Sequence, residues 1–188
     1  MQAAANVAAA IRSGFIKVGI AGGMESMSSG TLASSLGDVN EKIFDNDQAR
    51  DCLLPMGDTS ENVAEQFGVT REDQDRFAAE SYRRAEYAQD HNLFDEEIIP
   101  VEVTVNTKDG QSQTVVVDKD EGVRKGTTFE KLSKLRPAFK PDGSSTAGNS
   151  SQVSDGASAV LLMRRDEAEK RGLPILGRFI TYAVAGVP

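Results

Sequence analysis

Residues 142–158, DGSSTAGNSSQVSDGAS, carry almost no large side chains and run directly into the apolar stretch Ala159-Val160-Leu161-Leu162-Met163. A backbone this bare supplies no core of its own, so it is either a flexible linker or a surface shaped for something else. Its junction with an apolar run weighs against the linker. Small residues let a ligand approach closely and expose N–H groups without side-chain obstruction.

The rest of the chain places this segment in an α/β order. Residues 2–14 read as an Ala-rich helix, with Val7 and Ile11 on one side and Gly14 as a stop. Lys17-Val18-Gly19-Ile20-Ala21 reads as a short buried strand that enters Gly22-Gly23 and a small-residue loop at 24–30. From 31 to 57 the pattern is weak and mostly loop is expected. Asp58-Thr59-Ser60-Glu61 has the form of a capping box, followed by Val63, Ala64 and Phe67 on one face and Gly68 as terminator. Thr70 opens a longer helix with Asp73 near its positive end, an inward stripe of Phe77, Ala78, Tyr82, Ala85 and Ala88, and an end near His91.

Two strands, 98–105 and 114–117, are expected across the turn Lys108-Asp109-Gly110. A short helix at 127–134 follows. Beyond the bare segment come a buried strand at 159–163, a polar helix at 165–171 and a strand at 175–184. Two α/β pieces, 1–30 and 153–188, thus flank a region of different character, 31–152. One α/β domain carrying an inserted lobe accounts for that order.

Charge narrows the function. The net charge of −8 argues against a nucleic-acid surface. One cysteine excludes a disulfide framework and fits a reducing compartment, and one histidine leaves no plausible zinc site. No apolar run approaches the roughly 18 residues of a membrane span. A soluble, intracellular protein is expected.

Within this acidic chain the sign inverts locally, at Arg124, Lys125, Lys131, Lys134, Arg136 and Lys140. Clustered cations are either a solvated face or a phosphate site, where the planar guanidinium fork matches an oxygen pair. Followed by a small-residue cradle, they suggest a phosphate-bearing ligand; coenzyme A and nucleotides both qualify. Cys52 and His91 would be the obvious nucleophile and base, but Cys52 reads as a packing position and His91 as a cap at a helix C-terminus. Met24, Met27 and Met56 are either core or the lining of an acyl channel.

The segments AGGMESMS (21–28), LLPMGDTSENVAEQFGVTREDQD (53–75), KLRPAFKPDGSSTAGNSSQVSDGASAVLLMRR (134–165) and LPILGRFITYAVAGVP (173–188) resemble thiolases. The likeness is nearest to the 3-ketoacyl-CoA thiolases of peroxisomal fatty-acid β-oxidation and runs collinearly along the whole chain. NSSQVSDGA (149–157) is its most specific signature. The resemblance implies a thiolase-like layered α/β fold, with 1–30 and 153–188 as parts of the N-terminal half and 31–152 as an inserted loop domain covering coenzyme A. It implies acyltransferase chemistry on 3-ketoacyl-CoA, coenzyme A as substrate with no resident cofactor, a homodimer and a peroxisomal location.

By the same resemblance, Arg124 matches the arginine near the nucleotide end of coenzyme A, and Phe139, Ala147, Gly148 and Ser151 lie along the pantetheine arm. Met56 matches a methionine near the reacting acyl group. Lys131 stands where some thiolases place a serine near the nucleotide. The catalytic motifs do not carry over. The Cys-Ser-Ser-Gly-Leu-type nucleophile motif belongs before Gln2, and the Asn-Glu-Ala-Phe, Gly-His-Pro and Cys-x-Gly-Gly motifs beyond Val187-Pro188. Cys52 and His91 match none of them, so a truncated chain without turnover of its own is expected. A non-catalytic CoA or acyl-CoA binding module and an acetoacetyl-CoA-forming thiolase are the alternatives.

Overall fold

The computed structural model describes residues 1–30, 37–107 and 109–186. Its regular elements are, in chain order, α1 (Gln2–Arg12), β1 (Val18–Glu25), α2 (Asp47–Asp51), α3 (Met56–Phe67), α4 (Arg71–Asp90), β2 (Val101–Asn106), β3 (Ser112–Val117), α5 (Phe129–Leu132), β4 (Gly156–Met163) and α6 (Arg165–Lys170), with 3-10 turns at Met27–Ser29 and Glu41–Asp45. They form two compact units, Met1–Asp38 with Val153–Pro188, and Val39–Gln152. Among the described residues no helix is long and apolar enough to cross a membrane, and no group of three or more His, Cys, Asp or Glu could hold a metal ion.

In the first unit β1 and β4 pair antiparallel, from Val18 opposite Met163 to Glu25 opposite Gly156. Helix α1 lies against this ribbon because Gly19 is bare: a Cβ there would come within 2.6 Å of Val7 Cγ1. Ile11, Ala21 and, in α6, Ala168 are the buried apolar residues of this unit among those described. Gly14, at φ 81°, takes the left-handed turn after the helix.

The strand expected to be buried at 159–163 is instead a longer, half-exposed one, with Val160 at 50% and Leu161 at 55% exposure. A two-stranded ribbon has no neighbouring strands, so only limited parts of it find cover. The strand expected at 175–184 is absent; the backbone there is irregular, tied by the Tyr182 hydroxyl donating to Gln2 Oε1 at 3.0 Å. An alternating apolar pattern becomes a strand only where an edge accepts its hydrogen bonds. Val187 and Pro188 lie outside the described residues.

The second unit departs from expectation at several helix ends. The weak region 31–57 holds two short helical turns, at Glu41–Asp45 and α2, whose starts are capped by Asn40 and Asn46; residues 31–36 lie outside the described ones. Helix α3 begins at Met56 after Pro55, so Asp58 is inside the helix and the expected capping box does not form. Its buried residues are Glu61 and Ala64, while Val63 and Phe67 are exposed. Gly68 closes it at φ 66°.

Thr70 and Asp73 do form a reciprocal capping box on α4. There Asp75 and Ala78 are buried and Phe77 is 79% exposed, so the inward stripe runs through Asp75 rather than Phe77. Strands β2 and β3 form an antiparallel hairpin, Val101 opposite Val117 and Asn106 opposite Ser112, turning through Gly110 at φ 75°. Lys108 of that turn is outside the described residues.

Candidate functional site

Up to Gln152 the bare loop belongs to the second unit, where carboxylates of α3 and α4 hold it. Glu61 of α3 is 4% exposed and accepts hydrogen bonds from the Ser144 N–H (2.9 Å), the Ser144 hydroxyl (3.0 Å) and the Ser145 N–H (2.8 Å). Burial pushes the Glu61 carboxyl up, but these donors together with the nearby Lys140 ammonium bring it below the ordinary carboxylate range. Asp75 of α4 is wholly buried and accepts from Arg71 Nε at 2.7 Å and from Asn149 Nδ2 at 3.0 Å.

Asn149 closes the loop on itself, donating to the Ser144 carbonyl (3.0 Å) and accepting from the Thr146 N–H (2.7 Å). The Thr146 hydroxyl, fully buried, accepts from the Gly148 and Asn149 N–H groups at 3.2 Å each. The hydroxyls of Ser60 and Ser145 meet at 2.7 Å, and Gln74 Nε2 donates to Ser144 Oγ at 2.8 Å. Arg71 spans outward from the same cluster to the Leu132 and Leu135 carbonyls, at 2.8 and 3.0 Å.

This corrects the expected chemistry of the segment. The N–H groups of Ser144, Ser145, Thr146, Gly148 and Asn149 are committed inside the protein, so they are not a phosphate-binding cradle. What the loop presents outward is a fixed, small-residue contour on which Ala147 is exposed. Gly148 is pressed against α5 and its following turn; a Cβ there would come within 2.4 Å of Leu135 Cδ1 and 2.6 Å of Leu132 Cδ2.

The other expected binding residues fall around this loop in two groups. Arg124 is exposed in the turn before α5, its carbonyl accepting from the Thr127 hydroxyl at 2.7 Å. Two residues earlier, a Cβ on Gly122 would strike the Gln152 amide at 1.5 Å, so the arginine turn packs on the end of the bare segment. Ser151, next to Gln152, is exposed and donates to the Gln152 carbonyl at 3.1 Å. At the start of α3, Gly57 lies under the Phe139 ring, where a Cβ would approach within 2.1 Å; Met56 beside it is 75% exposed. Met56, Ser60, Gln74, Phe77 and Asn149 help to line an open hollow of about 440 Å³ along α3 and α4.

Only part of the cation cluster remains available. Lys125 pairs with Asp90, Lys140 with Glu65 at 3.5 Å, and Lys131 Nζ donates to the Gly126 carbonyl at 2.6 Å. Among the described residues Arg124, Lys134 and Arg136 enter no ion pair. Cys52 is exposed after α2, its thiol toward the Gln48 carbonyl at 3.6 Å. His91 stacks on Tyr87 at 3.9 Å, with Nδ1 2.8 Å from the Tyr87 carbonyl.

In the first unit Asp155 accepts from the Ser28 N–H (2.8 Å) and hydroxyl (2.5 Å), which hold its carboxyl below the usual range. That clasp joins the loop after β1 to the approach of β4. Neither it nor the Glu61 and Asp75 anchors was visible to sequence reasoning. Each carboxylate sits in a locally polar stretch, and its partners are 127, 83 and 74 residues away.

Comparison with known proteins gives a consistent neighbourhood. Residues 1–166 match the family described as thiolase, N-terminal domain. Over all 188 residues the chain is 54% identical to 3-ketoacyl-CoA thiolase A, peroxisomal, of Rattus norvegicus, covering 43% of that protein. It is 53% identical to the human peroxisomal 3-ketoacyl-CoA thiolase, covering 44%, and 52% identical to peroxisomal 3-ketoacyl-CoA thiolase 2 of Arabidopsis thaliana, covering 40%. The chain thus spans under half the length of these relatives. The crystal structure of the dimeric peroxisomal thiolase of Saccharomyces cerevisiae superposes with a TM-score of 0.80 at 44% identity, over 94% of this chain and 44% of that one. The fold is therefore the α/β fold shared with that structure.

Proposed function

For a chain that belongs to the thiolase family, we propose that it forms the coenzyme A-binding part of a 3-ketoacyl-CoA thiolase. The reaction of the whole enzyme is thiolytic cleavage of 3-ketoacyl-CoA. A cysteine thiolate attacks the 3-keto carbon, the bond between C2 and C3 breaks, and the departing carbanion takes a proton to leave as acetyl-CoA. The thiol of a second coenzyme A then takes the acyl group from the enzyme. The observation that carries this reading is identity above 50%, collinear over the full chain, with peroxisomal 3-ketoacyl-CoA thiolases.

In this reading Arg124 meets the nucleotide phosphates as a planar cation. Ala147, Gly148, Ser151 and Phe139 border the pantetheine arm, where small side chains admit a narrow ligand and an aromatic ring covers it. Met56 lies toward the acyl group. Lys131 adds a cation only by releasing the Gly126 carbonyl. Neither Cys52 nor His91 takes part in bond making. Coenzyme A is substrate, with no resident cofactor. The assembled enzyme is a peroxisomal homodimer, a proposal supported by the printed descriptions of the relatives and of the yeast structure.

Calorimetric titration of the purified chain with coenzyme A tests the binding role. Saturable binding that weakens about tenfold in Arg124→Ala is expected, in line with loss of a charge-assisted contact of about 1.5 kcal/mol. Absence of binding would overturn the reading. A 3-ketoacyl-CoA cleavage assay should show no turnover by this chain, and turnover abolished by Cys52→Ser would reassign the nucleophile.

A further inference from the structure

Two successive amides and a hydroxyl converge on one buried carboxylate at Glu61. The helix that carries it, α3, has no side-chain cap at its own N-terminus. The carboxylate therefore serves the loop and not its helix. Two residues beyond this anchorage, on the same loop, is exposed Ala147, and next to it Gly148, packed against Leu132 and Leu135. Without Glu61 the Ser144 and Ser145 N–H groups would lose their acceptor in a half-buried setting. The loop would then have to move to satisfy them.

We propose that Glu61 is a positioning residue for the ligand: through Ser144 and Ser145 it sets the height and path of the 146–148 backbone against which coenzyme A lies. Ser60, one residue earlier on α3, is a weaker member of the same device through Ser145. The proposal rests on the coenzyme A reading above and adds to it a residue that touches no ligand. Glu61 acts by geometry, so its removal lowers ligand affinity while leaving the helices in place.

The test compares the full 188-residue chain with Glu61→Gln, an isosteric change that keeps one acceptor oxygen and turns the other position into a donor facing the Ser144 N–H. Coenzyme A affinity is measured by calorimetry, amide exchange at 144–149 by mass spectrometry or NMR, and helix content and melting by circular dichroism. Expected are faster exchange at 144–146, an unchanged helix signal and a roughly tenfold rise in Kd.

A pH series separates positioning from bulk stability. The affinity gap between the two proteins should close as Glu61 protonates at acid pH. Glu65, Lys140 and Asp142, which line a separate hollow beside Glu61, and Arg71 and Asp75 of α4 are common to both proteins and cancel in the ratio. Equal Kd values alongside faster exchange would overturn the proposal, as would unaltered exchange. If Glu61→Gln does not fold, Ser60→Ala replaces it, with a two- to threefold rise in Kd expected and an unchanged Kd counting against the idea. A wild-type chain that binds no coenzyme A removes the underlying reading, and this inference with it. Binding by the wild type with no effect of either variant removes the inference alone.

Discussion

Two stretches of irregular backbone, 143–149 in one unit and 173–186 in the other, behave in opposite ways. The first has almost no apolar side chains, yet Ser145 and Thr146 are 3% and 0% exposed. The second is rich in apolar side chains, yet Leu176, Ile180 and Val184 are 97%, 73% and 75% exposed. The polar groups of the first stretch find partners within this chain, while the apolar side chains of the second find no cover within it. Glu61, Asp75, Asn149 and Thr146 satisfy the first stretch from within its own unit, whereas Tyr182 ties the second to Gln2.

The comparison breaks most visibly at Asp75. Asp75→Ala leaves Arg71 Nε and the Asn149 amide each one acceptor short in a part-buried site and should cost about 2–3 kcal/mol in urea unfolding. A loss below about 1 kcal/mol would mean the loop is not held as described. Next comes Gly148→Ala, which drives a methyl group into Leu132 and Leu135; about 1–3 kcal/mol and loss of coenzyme A binding are expected.

Thr70→Ala removes the capping box of the helix that carries Asp75. About 1 kcal/mol should appear in thermal melts, with the loop's amide exchange little changed. Acid titration sharpens the same contrast. Glu61 is held below the ordinary carboxylate range in the folded chain, so its contribution is fully present above the unfolded value of about 4.3 and is lost as pH falls through the lower, folded one. Stability of the wild type should therefore drop more steeply in that window than that of Glu61→Gln. The smallest effect is expected at Ile180→Ser, within about 0.5 kcal/mol, because that side chain is mostly exposed already.

Much of the local structure is legible in the sequence. Gly68 as a left-handed terminator, the Thr70 box, the hairpin and the Ala-rich first helix follow from backbone chemistry confined to a few consecutive residues. The errors share a cause. An apolar Phe77 suggests the inward face of its helix, and Glu61, three residues after Asp58, has the spacing of a capping residue. The inward residues of those helices include carboxylates whose partners lie dozens of positions later in the chain.

The sequence by itself determined the family, the Gly68 stop, the Thr70 start and the meeting of cations with small residues, since each depends on residue identity or short-range spacing. Only the tertiary structure decided that the small-residue loop keeps its N–H groups for Glu61, Asn149 and Thr146. Hydrogen-bond partnership in a buried site is set by which side chains share a volume, and that is a property of the packed chain.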